Sequence, residues 1–334
     1  MINPIYSPAP DRYDCGMRFR RCGRSGILLP EISLGLWHNF GDVNIFANSQ
    51  AMAHYAFDHG ITHFDLANNY GPSYGSAEET FGLIMKKSFM PYRDELFIST
   101  KAGHDMWPGP YGEWGSRKNL MASLDQSLKR MNLEYVDIFY SHRYDPNTPL
   151  EETLQTLVDI VRQGKALYVG ISKYPKEAAE FAYRYLAERD VHCLLYQGRY
   201  NLFNREPEQA GILQQARDNG TGFIAFSPLA QGLLTNRYLN GIPEGSRMSK
   251  GGFLKKEALT DDVLQRIRSL NALAERRGQT LAEMALAWLL KDELVTSVII
   301  GSSSVSQLAD NLRALQNISF SAEELEEINR ICPL

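Results

Sequence analysis

Eight short apolar runs, each followed by a longer stretch with helical spacing, constrain this chain more than any other feature of its sequence. The runs are Ile32–Leu36, Ile61–Asp65, Leu96–Thr100, Val136–Ser141, Ala166–Ile171, Leu194–Gln197, Gly222–Ser227 and Ser297–Gly301. They are rich in β-formers, and their length suits strands better than helices. The helical stretches include Ser49–His59, Ser76–Lys87, Ser116–Met131, Leu150–Gln163, Pro175–Glu188, Glu206–Asn219 and Thr260–Arg277. Strand then helix, eight times over, with no repeat or low-complexity linker, predicts one closed parallel barrel of the (β/α)₈ TIM type. The 334 residues fit a single barrel domain, 1–334, with insertions.

Local signals mark the boundaries. Ser76-Ala-Glu-Glu79 has capping-box spacing, and Gly60, Gly164 and Gly220 stand where helices are expected to stop. Residues 1–16 are Pro-rich and read as a tail or strap. Met17–Leu29 places the polar turn Cys22-Gly-Arg-Ser-Gly26 between two β-like runs, which predicts a hairpin capping the barrel floor. Two extra helices, Thr280–Lys291 and Ser321–Ile331, flank the last unit. A long basic loop, residues 234–256, follows the seventh strand; loops of that length are usually functional. No GxGxxG fingerprint is present, so a Rossmann domain is not supported.

Composition narrows the function classes. A net charge of −4 argues against nucleic acid as the main partner, because phosphate binding needs a basic face. The longest apolar runs, such as Met284–Leu290, are too short to span a bilayer. The N-terminus has neither a basic n-region nor an apolar h-region, so no secretory signal is expected. Four cysteines, Cys15, Cys22, Cys193 and Cys332, match no zinc or redox spacing. A reducing cytoplasm is the simplest compartment. The histidines are not spaced to converge on a metal.

In such barrels chemistry lives where strands end. The second strand ends in Asp65, followed by Asn68-Asn69-Tyr70-Gly71; the third ends in Lys101 and the fourth in Ser141-His142-Arg143. Asp65, Tyr70, Lys101 and His142 therefore reach one rim from adjacent strands. Tyrosine alone is a poor proton donor, with a pKa of about 10. A neighbouring ammonium is expected to pull that pKa toward the working pH, while the aspartate keeps the lysine charged and aimed. The histidine can donate to a substrate carbonyl. This is an acid system suited to carbonyl reduction. His63 shares strand parity with Asp65 and reads as a buried, satisfied histidine.

The chain resembles the aldo-keto reductases. The resemblance is carried by Gly60-Ile-Thr-His-Phe-Asp-Leu-Ala-Asn-Asn-Tyr-Gly71, Ile98-Ser-Thr-Lys101, Val136-Asp-Ile-Phe-Tyr-Ser-His142, Gly170-Ile-Ser172 and Ser227-Pro-Leu229, in the expected order over nearly the whole chain. Trp37-His-Asn-Phe40 and Trp107-Pro-Gly-Pro-Tyr-Gly112 look, more narrowly, like the family's bacterial L-glyceraldehyde 3-phosphate reductase group, which is related to potassium-channel β subunits. The resemblance implies Asp65, Tyr70, Lys101 and His142 as catalytic residues and NADPH, or NADP⁺, extended across the rim. Ser172 and Gln197 would hold the nicotinamide carboxamide, and Phe226 would stack on the ring where many relatives carry tyrosine or tryptophan. Ser227, Leu229, Gln231, Gly232 and Leu233 would line the pyrophosphate, with Arg237 nearby and Ser246 and Arg247 closing over it. Gly301, Ser303, Gln307, Asp310 and Asn311 would hold the adenosine end. Trp37 is expected against cofactor and substrate.

Two positions depart from the family pattern. Lys173 stands where many relatives carry asparagine. Ser303 and Gln307 stand where many carry a basic residue for the 2′-phosphate. The expected substrate wall comprises Trp37, Tyr70, Trp107, His142, Arg143 and Lys173. Lys173, Arg143 and Arg199 are also candidates for a substrate phosphate, although surface cations are more often merely solvated. The implied function is NADPH-dependent reduction of small aldehydes such as L-glyceraldehyde 3-phosphate and methylglyoxal, by a homo-oligomer (tetramer or octamer). The competing reading is a nucleotide-sensing interaction module with slow residual turnover. A Schiff-base aldolase on Lys101 fits the Asp65–Tyr70 string poorly.

Overall fold

The computed structural model describes residues 6–239, 241–242 and 256–334. An antiparallel hairpin, β1 (Phe19–Arg21) and β2 (Leu28–Pro30), precedes eight parallel strands. These are β3 (Ile32–Gly35), β4 (His63–Asp65), β5 (Phe97–Ala102), β6 (Val136–Ser141), β7 (Ala166–Ser172), β8 (Cys193–Arg199), β9 (Gly222–Phe226) and β10 (Ser297–Ile300). They close in the order β10-β3-β4-β5-β6-β7-β8-β9, the expected barrel. Every residue of β3 through β6 is buried, which is why these strands read as apolar runs rather than as alternation.

The surrounding helices are α1 (Phe46–Asp58), α2 (Ser76–Ile84), α3 (Arg117–Met131), α4 (Leu150–Arg162), α5 (Lys176–Ala187), α6 (Glu206–Gln209), α7 (Ile212–Asp218), α8 (Asp261–Arg276), α9 (Leu281–Leu289), α10 (Val305–Leu312) and α11 (Ala322–Ile331). The stretch expected as one helix from Glu206 to Asn219 is two, because Gly211 adopts a left-handed φ of +72° between them. The capping box expected at Ser76 is absent. Gly75, left-handed at φ +89°, caps α2, and the Ser76 hydroxyl donates to the Ser73 carbonyl at 2.6 Å instead. True capping boxes open α9 (Thr280, Glu283) and α11 (Ser321, Glu324). After Ile84 the backbone widens into a π turn, Met85–Phe89, where one continuous α-helix was expected. Gly60, Gly164 and Gly220 follow their helices with φ of +78°, +71° and +73°, as expected of C-terminal glycines.

Apolar packing falls into two bodies. The larger lies between barrel and helices and includes Phe57, Phe64, Phe81, Phe89, Leu157 and Trp288. The smaller fills the barrel interior with Phe97, Ile138, Tyr140, Leu195, Ile224 and Ile299, and the hairpin pushes Cys22 and Leu29 into it from below. The hairpin is fixed to the floor by Arg24 N–H donating to the Gly220 carbonyl at 2.8 Å. Arg20 pairs with buried Glu31 at 2.8 Å and donates to the carbonyls of Leu290 (2.7 Å) and Val295 (3.0 Å). The N-terminal segment crosses α1, where the Tyr6 hydroxyl and the Ala9 N–H both donate to Asp58 Oδ1. No helix among the described residues is long and apolar enough to cross a membrane.

Candidate active site

The register of β4 against β5 places Asp65 beside Ser99, and Lys101 lies one inward position further along its strand. Lys101 Nζ donates to Asp65 Oδ2 at 2.7 Å and to the Leu66 carbonyl at 2.5 Å, with no exposed surface. The other carboxylate oxygen of Asp65 accepts from Ser99 Oγ at 2.7 Å and Gln197 Nε2 at 3.0 Å. Behind the lysine, Thr100 Oγ1 donates to Glu78 at 2.5 Å, and Arg130 Nε pairs with the same glutamate at 2.8 Å. This chain of partners fixes the β5 end from the helix side.

Tyr70 follows a tight loop. Gly71 has φ +84°, and a side chain there would meet Ser76 Oγ at 2.4 Å and Ala77 N at 2.8 Å, so only glycine lets the loop close. The Lys101 ammonium lies 4.8 Å from the Tyr70 ring centre, and the His142 ring stands edge-on to Tyr70 at 6.0 Å. The four residues expected at the rim are thus brought together. The electrostatics correct one expectation. Burial, aided by the Asp65 charge, holds the Tyr70 phenol well above its ordinary pKa. The Lys101 ammonium 4.8 Å away does not offset these two effects. Burial also lowers Lys101 itself. Tyr70 is therefore a firmly protonated donor.

His142 is buried, and burial together with the Lys101 and Lys173 charges keeps its ring neutral, well below the ordinary histidine value. His104, not anticipated from the sequence, stands edge-on to it at 4.5 Å. Its Nε2 accepts from Lys173 Nζ at 2.9 Å, which requires a neutral ring; burial and Lys173 push it down to about 4. A histidine just past the end of β5 was the available signal, but without a motif it was indistinguishable from a surface residue. Lys173, in a left-handed φ of +56°, also reaches over the Phe226 ring at 5.9 Å. Its pKa is lowered to about 8 by its packing at the rim and by the Lys101 and Arg143 charges. Arg143 points elsewhere: it pairs with Glu113, donates to the Gly103 carbonyl at 2.9 Å and stacks 3.6 Å over Trp114. Trp37 lies 6.2 Å from the Tyr70 ring and stacks on His38. Trp107 is half-buried in a loop closed by Met106 N–H donating to the Gly112 carbonyl at 2.9 Å. Arg199 is exposed at the end of β8.

The rest of the rim has the chemistry of a nucleotide cradle. Among the described residues, the buried Ser172 Oγ, Ser302 Oγ and Asn311 Nδ2 have no hydrogen-bond partner. Buried polar atoms are rarely left so, and three along one rim fit a ligand carrying its own donors and acceptors. After β9, Ser227, Ala230, Gln231 and Gly232 all have positive φ, in a tight turn whose Ala230 and Gly232 N–H groups donate to the Ser227 and Leu229 carbonyls at 3.0 and 2.8 Å. Leu229 and Leu233 flank that turn, and Arg237 is exposed beyond it. At the opening of α10, Ser303 N–H and Oγ both donate to Gln307 Oε1, so these two residues are tied to each other. Gly301 is open, with nothing near a would-be side chain, and Asp310 pairs with Arg313 at 2.8 Å. Gln197 spends its amide nitrogen on Asp65. Ser246 and Arg247, and most of the long basic loop, lie outside the described residues.

A stoppered parallel barrel with a buried Lys–Asp pair beneath a protonated tyrosine defines an oxidoreductase site, and the family assignment agrees: residues 31–332 match the model of the aldo/keto reductase family, to which this chain belongs. The chain is 58% identical over 330 residues to the L-glyceraldehyde 3-phosphate reductase of Escherichia coli O157:H7, covering 98% of this chain and 95% of that one. It is 57% identical over the same length to the protein of that name from Escherichia coli K12. A probable voltage-gated potassium channel subunit beta of Arabidopsis thaliana is 33% identical over 308 residues, 90% of this chain and 92% of its own.

Proposed function

We propose that the protein reduces small aldehydes to alcohols with NADPH, and that Asp65, Tyr70, Lys101 and His142 carry the reaction. The observation that carries this is the fully buried Lys101–Asp65 pair set 4.8 Å beneath the Tyr70 ring. Ser172, Gln197, Phe226, the turn from Ser227 to Leu233 and the opening of α10 would hold the cofactor, which would supply a hydride when bound. Tyr70 supplies the proton. Its raised pKa is no obstacle, because the oxygen it protonates becomes an alkoxide, a far stronger base. Neutral His142 donates to the carbonyl oxygen and polarises it, and the Lys101 ammonium stabilises the phenolate left behind. Trp37 and Trp107 give the aldehyde an apolar wall.

L-Glyceraldehyde 3-phosphate is the proposed substrate, supported by the names of the two bacterial relatives. Lys173 is the residue proposed for its phosphate. It is exposed at the rim and its hydrogen-bond partner is a neutral imidazole rather than a carboxylate. Arg143, committed to Glu113, is the weaker choice. The test is NADPH oxidation with L-glyceraldehyde 3-phosphate, glyceraldehyde and methylglyoxal, wild type beside Tyr70→Phe. We expect the variant to bind NADPH normally and to lose on the order of 10³-fold in kcat. Normal turnover by the variant would remove Tyr70 as the acid. Tight NADPH binding with no turnover by the wild type would favour the sensing module.

A further inference from the structure

Below Asp65 the barrel interior holds a line of polar side chains that the reaction as described does not use. Ser297, Ser33, His63 and Ser99 come from β10, β3, β4 and β5, and none has any exposed surface. Ser297 Oγ and Ser33 Oγ are 2.6 Å apart, and Ser33 Oγ is 2.8 Å from His63 Nδ1. His63 Nε2 is 3.1 Å from Ser99 Oγ, which is 2.7 Å from Asp65 Oδ1.

The direction of each bond follows from the end that cannot vary. An ionised carboxylate only accepts, so Ser99 must donate to Asp65. With its single proton spent, Ser99 can only accept from His63, which places a proton on Nε2. A neutral imidazole protonated there accepts at Nδ1, so Ser33 donates to His63 and Ser297 donates to Ser33. Burial favours the neutral ring strongly, pushing His63 down to about 4.

We propose that His63 is a positioning residue for the reduction: it is the centre of a one-way hydrogen-bond chain, Ser297 to Ser33 to His63 to Ser99, that aims four successive donors at Asp65 and so fixes the carboxylate that holds Lys101. In a low-dielectric interior such bonds polarise one another, each strengthening the next. Asp65 is thereby held from below by a neutral chain and from above by the ammonium, and its oxygens cannot rotate away from Lys101. The inference rests on the role given above to the Asp65–Lys101 pair.

The first test reads the proton directly. Nitrogen-15 NMR of the histidine rings, on the full chain saturated with NADP⁺, should show His63 neutral and protonated on Nε2 at neutral pH. The Nδ1-protonated form would overturn the chain, because Ser99 would then face a bare nitrogen and a carboxylate with one proton for both. The second test is graded: kcat should fall on the order of tenfold in Ser99→Ala, about threefold in Ser33→Ala and less in Ser297→Ala. The Kd for NADPH should stay unchanged throughout. All three serines are equally buried, so losses that ignore this order would overturn the positioning role even with the Nε2 proton in place. If Ser99→Ala fails to fold, Ser33→Ala, Ser297→Ala and the wild-type ring still decide. Failure of Tyr70 as the acid would show separately as normal turnover in Tyr70→Phe, and would leave the tautomer result standing.

Discussion

Two histidines two strands apart are both buried and neutral, yet they belong to opposite halves of the barrel. His63, in the interior, has a partner on each ring nitrogen. His142, at the rim, has a buried Nδ1 with no hydrogen-bond partner among the described residues, as do Ser172, Ser302 and Asn311. Satisfied polar groups hold a structure in place, whereas unsatisfied ones are costly to the fold, and those at this rim fit a ligand that completes them. The boundary between the halves is Asp65, hydrogen-bonded from both sides.

The largest effect should come from breaking that boundary. Lys101→Met strands the Asp65 carboxylate in the interior, and we expect a loss of at least about 10³-fold in kcat together with roughly 3–5 kcal/mol of stability, read by activity and by urea unfolding. The two histidines should then separate cleanly. His142→Ala should cost about 10²-fold in kcat with little change in unfolding midpoint. His63→Ala, which orphans two serines and opens a cavity, should cost about 3 kcal/mol. Equal destabilisation by the two would dissolve the comparison.

A pH dependence follows from the same ring. His63 titrates near 4 when folded and near 6.5 when unfolded, so between these values the unfolded chain binds the extra proton. The His63 contribution to stability should be flat above pH 6.5 and fall by roughly 3 kcal/mol as pH drops to 4, with His104 adding to the same slope. Urea unfolding across that range, wild type against His63→Asn, should show a shallower slope in the variant. The smallest effect concerns Lys173. Lys173→Met should raise KM for L-glyceraldehyde 3-phosphate about tenfold and leave methylglyoxal unchanged. In the wild type that selectivity should fade as pH passes about 8, where the ammonium is lost.

Much of this architecture is legible in the sequence. The barrel was legible because parallel strands buried on both faces must be apolar along their length. The four rim residues were legible because strand ends are fixed points and a short Gly-containing loop carries Tyr70 back over Lys101. What escaped depended on geometry that no local pattern carries. Gly211 looks like any helix residue until its φ is known. Ser76 has capping-box spacing, but its hydroxyl finds the Ser73 carbonyl first. Arg143 sits two residues after the strand like a substrate ligand, yet Glu113, on a different loop, claims it. The raised pKa of Tyr70 reflects burial, which spacing does not report.

The side chains that fill the barrel, closed from below by Cys22 and Leu29 of the hairpin, leave the site open at one rim only. Whatever reacts inside must arrive and depart by the same rim, so traffic becomes sequential. On the placement proposed here, the large cofactor spreads from β7 to α10 and the small aldehyde lies above it at Tyr70. The dinucleotide must then dock first and leave last. Product inhibition patterns, a purely kinetic observable, would thus follow from the packed core that seals the site from below.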